Sequence, residues 1–308
     1  MTLNVLFSAP DMLWDQYREV LPRAIAAAGI EAKVTRSADP AMVDYIVYAP
    51  NPNLTDFAPF TKAKAVLSLF AGVDRIVGNT TLTQPLCRLV DPALAEGMVE
   101  WVTGQVLRHH LHLDRNIGAA PHWVQDAPPL ARHRKVTMLG LGELGMACAN
   151  MLRVLNFDVR GWSRSPKSAP FPTFHSTEGL RDALFDTDIV ITLLPDTPDT
   201  RNILNAQSLQ WPADGAVVIN PGRGPLIDDE ALLAALDAGK IAHATLDVFW
   251  KEPLPHDHPY WTHPGVTVSP HIASVSRPSS ASEIVAENIR RSESGEPLLF
   301  RVDRARGY

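Results

Sequence analysis

Cysteine is nearly absent from this chain: two among 308 residues, Cys87 and Cys148. That excludes a disulfide framework, and two isolated thiols are expected to be buried and reduced rather than ligands or nucleophiles. No stretch reaches the ~18 consecutive apolar residues of a membrane helix, and the N-terminus reads as a first strand rather than a signal peptide. The expected compartment is therefore the cytosol, with no membrane partner. Basic runs are missing too. Lys and Arg number 28 against 34 Asp and Glu, a formal charge of −6. The longest basic stretch is Arg132-His133-Arg134-Lys135, which argues against nucleic acid or an anionic membrane surface as partner. Internal repeats and low-complexity segments are also lacking. What remains, 45% hydrophobic and 20% charged residues, is an ordinary globular composition long enough for two cores.

Against that plain background one stretch stands out: Val136-Thr-Met-Leu-Gly140-Leu-Gly142-Glu143-Leu144-Gly145. An apolar run enters a three-glycine turn that opens a helix, the fingerprint of a dinucleotide-binding unit. Gly140 permits the tight turn, Gly142 lets backbone approach a pyrophosphate, and Gly145 lets helix and strand pack closely. The helix N-terminus offers unpaired N–H groups and the positive end of its dipole. A second apolar run ends at Trp162-Ser163-Arg164-Ser165. Where NAD-binding chains place an Asp or Glu for the ribose 2′-OH, this one has a hydroxyl and a guanidinium, which suit a 2′-phosphate. The expected cofactor is NADPH, with NADH possible.

The apolar pattern predicts strands at 3–7, 45–48 and 66–69, alternating with helical patterns such as 14–28. A long helix is predicted over 94–117, then a loop punctuated by Pro121, Pro128 and Pro129. Further strands are predicted at 188–194, 216–220, 243–248 and 266–269, and a last helix at 279–292. The fold class is α/β, two Rossmann-like or flavodoxin-like parallel-sheet domains with an interdomain cleft. The expected division is 1–103 plus 278–308 for a substrate-binding domain and 104–277 for the dinucleotide domain, which places the last helix back with the first.

Three segments sit where loops should follow strands: Ile219-Asn-Pro-Gly-Arg223-Gly224, Leu246-Asp247-Val-Phe-Trp-Lys-Glu252, and Ser269-Pro-His271-Ile-Ala273-Ser274. The carboxyl edge of an open α/β sheet is where ligands bind. Together these loops offer an arginine, a carboxylate and a histidine, the set needed to reduce a 2-oxo acid. Arg223 can clamp a carboxylate through its rigid fork and polarise the carbonyl oxygen. His271 can deliver a proton to that oxygen, and Glu252 can orient the ring and hold it protonated near neutral pH.

With these motifs the chain resembles the D-isomer-specific 2-hydroxyacid dehydrogenase family over nearly its whole length, within it the bacterial glyoxylate/hydroxypyruvate reductase A group. The spacing agrees: Glu252 follows Arg223 by 29 residues, and His271 follows Glu252 by 19. So do Trp162–Ser165, Ser276-Arg277-Pro278 and the terminal stretch 302–308. The resemblance implies that Arg223, Glu252 and His271 are the catalytic trio and that Asp247 holds the nicotinamide carboxamide. It further implies a cofactor surface of Gly140, Gly142, Glu143, Leu144, Gly145, Ser163, Arg164, Ser165, Leu194, Pro195, Pro221, Gly222, Asp247 and Ala273. Substrate contacts would come from Phe70, Ala71 and Gly72, whose loop offers backbone N–H groups to a carboxylate, and from Arg223, His271 and Arg277. Phe70 departs from the small residue usual there, and Pro221 replaces a residue with a free N–H. A homodimer is the family's usual state.

The expected activity is NADPH-dependent reduction of small 2-oxo acids, glyoxylate to glycolate and hydroxypyruvate to D-glycerate. Alternatives are a larger 2-oxo acid, or a nucleotide-sensing binding protein on the same fold. No metal site is expected. His109, His110 and His112 crowd one helical stretch, but spacings of one and two do not align three ligands on a helix face, so a solvated or interface surface is expected there.

Overall fold

In the computed structural model, residues 2–117, 123 and 125–304 are described; Pro121 and the last four residues of the terminal motif lie outside them. The chain divides into two compact units, Met1–Leu94 with Val275–Tyr308 and Ala95–Ser274. Residues 95–103 therefore pack with the second unit, and 275–277 with the first.

Unit one is built on five parallel strands: β1 (Leu3–Ser8), β2 (Ala32–Thr35), β3 (Tyr45–Tyr48), β4 (Ala65–Ser68) and β5 (Leu86–Cys87). Their order, β2-β1-β3-β4-β5, is that of flavodoxin-like sheets. β3 and β4 are buried along their whole length, as in a sheet covered on both faces. The last helix, Pro278–Glu293, returns to this unit. It buries Ala281, Val285, Ala286 and Ile289 in the same core as Leu21 and Ile25 of the helix Val20–Ala27. The single helix expected over 14–28 is two, Asp11–Tyr17 and Val20–Ala27. Pro22 accounts for the break: in one continuous helix its ring would meet the carbonyl of Arg18 and it has no N–H to donate.

Unit two carries seven parallel strands: β6 (Lys135–Leu139), β7 (Asp158–Ser163), β8 (Thr173–His175), β9 (Ile189–Thr192), β10 (Ala216–Asn220), β11 (Ile241–Leu246) and β12 (Val266–Val268). Their order is β12-β11-β10-β9-β6-β7-β8. This is a doubly wound sheet whose winding reverses between β6 and β9, the switch point where such sheets bind ligands. One face is covered in part by the helix Glu143–Val154 and by Met98, Val102 and Val106 of the helix Pro92–His110. The other buries the helices Ser176–Leu184 and Asp229–Asp237. The long helix expected over 94–117 ends at His110. His112 takes a left-handed conformation (φ 52°) and a separate turn, Leu113–Asn116, follows.

Register places the site. Trp162 pairs with Leu139, Leu139 with Thr192, Asn220 with Leu246, and Leu246 with Val268. Ser163, Gly140, Leu193, Pro221, Asp247 and Ser269 thus all lie at one edge of the sheet.

Both cysteines are buried. Burial pushes the Cys87 thiol up to about 11 and the Cys148 thiol up to about 12, so neither is a thiolate at neutral pH.

Candidate active site

The glycine turn follows β6. Gly140 has φ +108°, and a side chain there would meet the Leu193 carbonyl oxygen at 2.4 Å. At Gly145 a Cβ would sit 1.9 Å from the Gly140 carbonyl oxygen, so only glycine lets the helix Glu143–Val154 start this close to the turn. Gly142 differs. It caps that helix, and a Cβ built on it meets nothing within 4 Å. The space before the helix N-terminus is open, which suits a bound phosphate. Gly161 in β7 was not anticipated: its missing Cβ makes room for Leu141, whose Cδ2 would be 2.6 Å away.

At the end of β7 the three candidate residues separate. Ser163 is buried and its hydroxyl donates to the Ser165 carbonyl oxygen at 2.8 Å. Arg164 and Ser165 are exposed, and Arg164 lies 3.5 Å from Asp199, itself exposed. After β9, Leu194 is buried and Pro195 half-buried. The Thr200 hydroxyl donates to the Pro195 carbonyl oxygen at 2.6 Å and accepts from the Thr197 N–H at 2.9 Å, stiffening this loop.

After β10 come Pro221 and Gly222, both buried, then the half-buried Arg223. Gly224 cannot be another residue, since a Cβ would lie 2.0 Å from the Phe249 carbonyl carbon. The arginine turn therefore presses on the segment leading to Glu252, and Trp250 adds a tie by donating from Nε1 to the Ile227 carbonyl oxygen at 2.9 Å.

Asp247 is fully buried at the end of β11. Its Oδ1 accepts from the Ser269 hydroxyl at 2.6 Å and the Ile272 N–H at 2.9 Å, and its Oδ2 from the Ala273 N–H at 2.8 Å. Its own carbonyl accepts from the His271 N–H at 2.8 Å. Three donors satisfy this buried side chain, and it organises the whole loop that carries His271. That role was not apparent from sequence. His271 itself adopts φ 55°, a left-handed conformation uncommon outside glycine. Its Nδ1 lies 2.9 Å from Glu252 Oε2, and Glu252 Oε1 accepts from the Phe249 N–H at 3.1 Å. With Nδ1 donating to a carboxylate, Nε2 is the ring nitrogen left to face a substrate, on a side chain 49% exposed.

In unit one, Phe70, Ala71 and Gly72 follow β4. The Ser68 hydroxyl donates to the Phe70 carbonyl oxygen and accepts from the Phe70 N–H, and Phe70 is 39% exposed. Ser276 donates to the Leu69 carbonyl oxygen at 3.1 Å, which brings the start of the last helix, and with it the exposed Arg277, beside that loop.

At the opposite edge of the unit-two sheet the histidines form a cluster. The expectation of a solvated or interface surface fails for His110, while His109 is half-buried. His110 is buried against Phe157, and His109 bonds the Thr245 hydroxyl at 2.8 Å. The His243 ring lies tilted against His109, centroids 4.9 Å apart, and bonds Thr267, which Arg108 also reaches while paired to Asp114. Arg108 and His109, at the end of the helix Pro92–His110, find hydroxyl partners on β12 and β11. These side chains line a recess of about 300 Å³ with Arg134 and Asp188. No group of three or more His, Cys, Asp or Glu among the described residues is arranged to hold a metal ion. Burial, then repulsion from His243 and Arg108, pushes His109 down to about 4, and burial lowers His243, His110 and His112 as well. Stability from His109 is fully present above its unfolded value near 6.5 and is lost as pH falls towards 4, by about 3 kcal/mol at the limit. The melting temperature is expected to drop between pH 6.5 and 4.5, and His109→Gln to flatten that drop. A wild-type melting temperature constant across this range would contradict it.

No helix among the described residues is long and apolar enough to cross a membrane. The family model for the D-isomer specific 2-hydroxyacid dehydrogenase NAD binding domain matches residues 102–273. Similar solved structures include a D-isomer specific 2-hydroxyacid dehydrogenase from Xanthobacter autotrophicus Py2 in complex with NADPH and MES. It is 39% identical, with 100% of each chain covered and a TM-score of 0.90. An NADPH-dependent glyoxylate/hydroxypyruvate reductase from Sinorhizobium meliloti, in complex with NADP and sulfate, is 33% identical. It covers 99% of this chain and 100% of its own, with a TM-score of 0.85. A probable 2-hydroxyacid dehydrogenase from Rhizobium etli CFN 42, in complex with NADP, HEPES and L(+)-tartaric acid, is 33% identical over 100% of both chains, TM-score 0.86.

Proposed function

This chain belongs to the D-isomer specific 2-hydroxyacid dehydrogenase family, and from that membership we propose that it is an NADPH-dependent reductase of small 2-oxo acids, taking glyoxylate to glycolate and hydroxypyruvate to D-glycerate. The observation that carries the reading is the His271–Glu252 pair, 2.9 Å apart, at the sheet edge that also bears Arg223 and the glycine turn. When bound, the nicotinamide supplies the hydride for the carbonyl carbon. Gly140, Gly142 and Gly145 with the helix behind them hold the pyrophosphate, and the exposed Arg164 and Ser165 meet the 2′-phosphate. Arg223 binds the substrate carboxylate and steadies the carbonyl oxygen as it gains charge. His271 Nε2 gives that oxygen its proton, while Glu252 Oε2 keeps Nδ1–H in place and so fixes the ring. In unit one, the amides of Ala71 and Gly72 contribute to carboxylate recognition, Phe70 limits substrate size, and Arg277 contacts the substrate. The buried thiols suit a cytoplasmic enzyme, and a homodimer is its proposed state, checked by gel filtration with a mass detector.

The deciding test is loss of absorbance at 340 nm with glyoxylate, hydroxypyruvate and pyruvate, each with NADPH and with NADH. Fast NADPH oxidation with the first two is the expected result; silence with all three would sink the reading, and turnover of pyruvate alone would shift it to another acid. For the cofactor, Arg164→Ser is expected to lower kcat/KM for NADPH by ~10–100-fold, the worth of a charge-assisted phosphate contact, with NADH little affected. Equal losses with both cofactors would remove Arg164 from the 2′-phosphate site.

A further inference from the structure

We propose that Asn220 and Thr192 are positioning residues for Arg223, a latch that fixes where the arginine leaves the sheet; the inference rests on the reductase reading of this site. Both side chains are closed off from solvent, Asn220 at 1% and Thr192 at 0% exposure. The Asn220 side chain makes three hydrogen bonds. Its Oδ1 accepts from the Thr192 hydroxyl at 2.6 Å and from the Gly222 N–H at 3.0 Å. Its Nδ2 donates to the Arg223 carbonyl oxygen at 2.9 Å. The first of the backbone contacts is an Asx-turn, and the second closes it, so the backbone from 220 to 223 forms a ring around one amide.

The amide can sit only one way round. Two donors face its oxygen and one acceptor faces its nitrogen. An aspartate of the same shape would keep the first two bonds but set a carboxylate oxygen against the Arg223 carbonyl. The latch also reaches the neighbouring strand. Thr192 is the last residue of β9, directly before Leu193 and Leu194, and a Cβ on Gly222 would lie 2.7 Å from the Thr192 carbonyl oxygen. The ends of β9 and β10 are thus locked at van der Waals distance, and the arginine is referred to the same frame that presents the cofactor loop. A clamp of two parallel N–H groups is sensitive to such placement, since displacements near 1 Å cost ~10²-fold in related situations.

The test is steady-state kinetics with glyoxylate and NADPH on Asn220→Asp, Thr192→Val and Thr192→Ser, beside NADPH affinity from its fluorescence on binding. Asn220→Asp is expected to raise KM for glyoxylate and lower kcat, together ~10²-fold in kcat/KM, while NADPH affinity stays within ~3-fold. Thr192→Val should show a smaller loss of the same kind, and Thr192→Ser, which keeps the hydroxyl, should restore it. In the Arg223→Lys background, Asn220→Asp should cost far less than in wild type, because both act through one group. Additive losses, or a folded Asn220→Asp with unchanged kinetics, would overturn the proposal. If Asn220→Asp does not fold, the Thr192 pair decides alone: equal activities of the valine and serine variants would overturn it. If wild type reduces no 2-oxo acid, the reductase reading fails instead. The latch is then judged from crystal structures: an unmoved Gly222–Arg223 backbone in whichever of Asn220→Asp or Thr192→Val folds overturns it, and a displaced one supports it.

Discussion

Replacing His271 by alanine is expected to cut kcat for glyoxylate reduction by ~10²-fold or more, the usual worth of a positioned general acid, while NADPH binding is preserved. The expectation follows from how the ring is held. Glu252 takes Nδ1, the Asp247 carbonyl takes the His271 N–H, and the Asp247 carboxylate takes the N–H groups of Ile272 and Ala273. The ring is thus presented with one nitrogen outward. Single-turnover rates at saturating glyoxylate and NADPH isolate the chemical step from product release. A variant with kcat within about threefold of wild type, well short of the general-acid magnitude, would remove His271 from the mechanism.

Arg223→Lys is the second large effect: kcat/KM for glyoxylate is expected to fall by ~10²–10³-fold, with KM raised as well as kcat lowered. An ammonium has the charge but not the planar fork, so it can neither grip both carboxylate oxygens nor hold a third contact to the carbonyl oxygen. The turn cannot adjust to compensate, because Gly224 abuts the Phe249 backbone and Gly222 the Thr192 carbonyl. A lysine variant with unaltered KM and only a lower kcat would show that the carboxylate is bound elsewhere.

Much of this is legible in the sequence. The glycine turn, the loop residues Arg223, Glu252 and His271 and the alternation of buried strands are local signals, written in spacing and periodicity, and the sheets confirm that these loops share one edge. What escaped was set by contacts distant in sequence. Asn220 looks like any strand-end asparagine until Thr192 appears beside it. Asp247 gives no sign that it organises a loop some 25 residues on. Gly161 and Gly224 are glycine because of Leu141 and Phe249, which no periodicity reveals. The two-residue β5 and three-residue β8 are too short to carry a pattern. Arg108 and His109 are held by hydroxyls on β12 and β11, partners more than a hundred residues away.

That histidine cluster has a consequence for the enzymology. A pH–rate profile will have an acidic limb, and the natural temptation is to assign it to a catalytic group. Yet the strands that end in Asp247 and at the His271 loop begin beside imidazoles that resist protonation only while the unit is folded. As pH falls from 6.5 towards 4 the stability contributed by His109 is lost, by about 3 kcal/mol at the limit, so unfolding enters the profile beside chemistry only at its acid end. The two separate on the time axis: initial rates after a jump from neutral pH report the active site, and the slow decay that follows reports the far edge of the sheet.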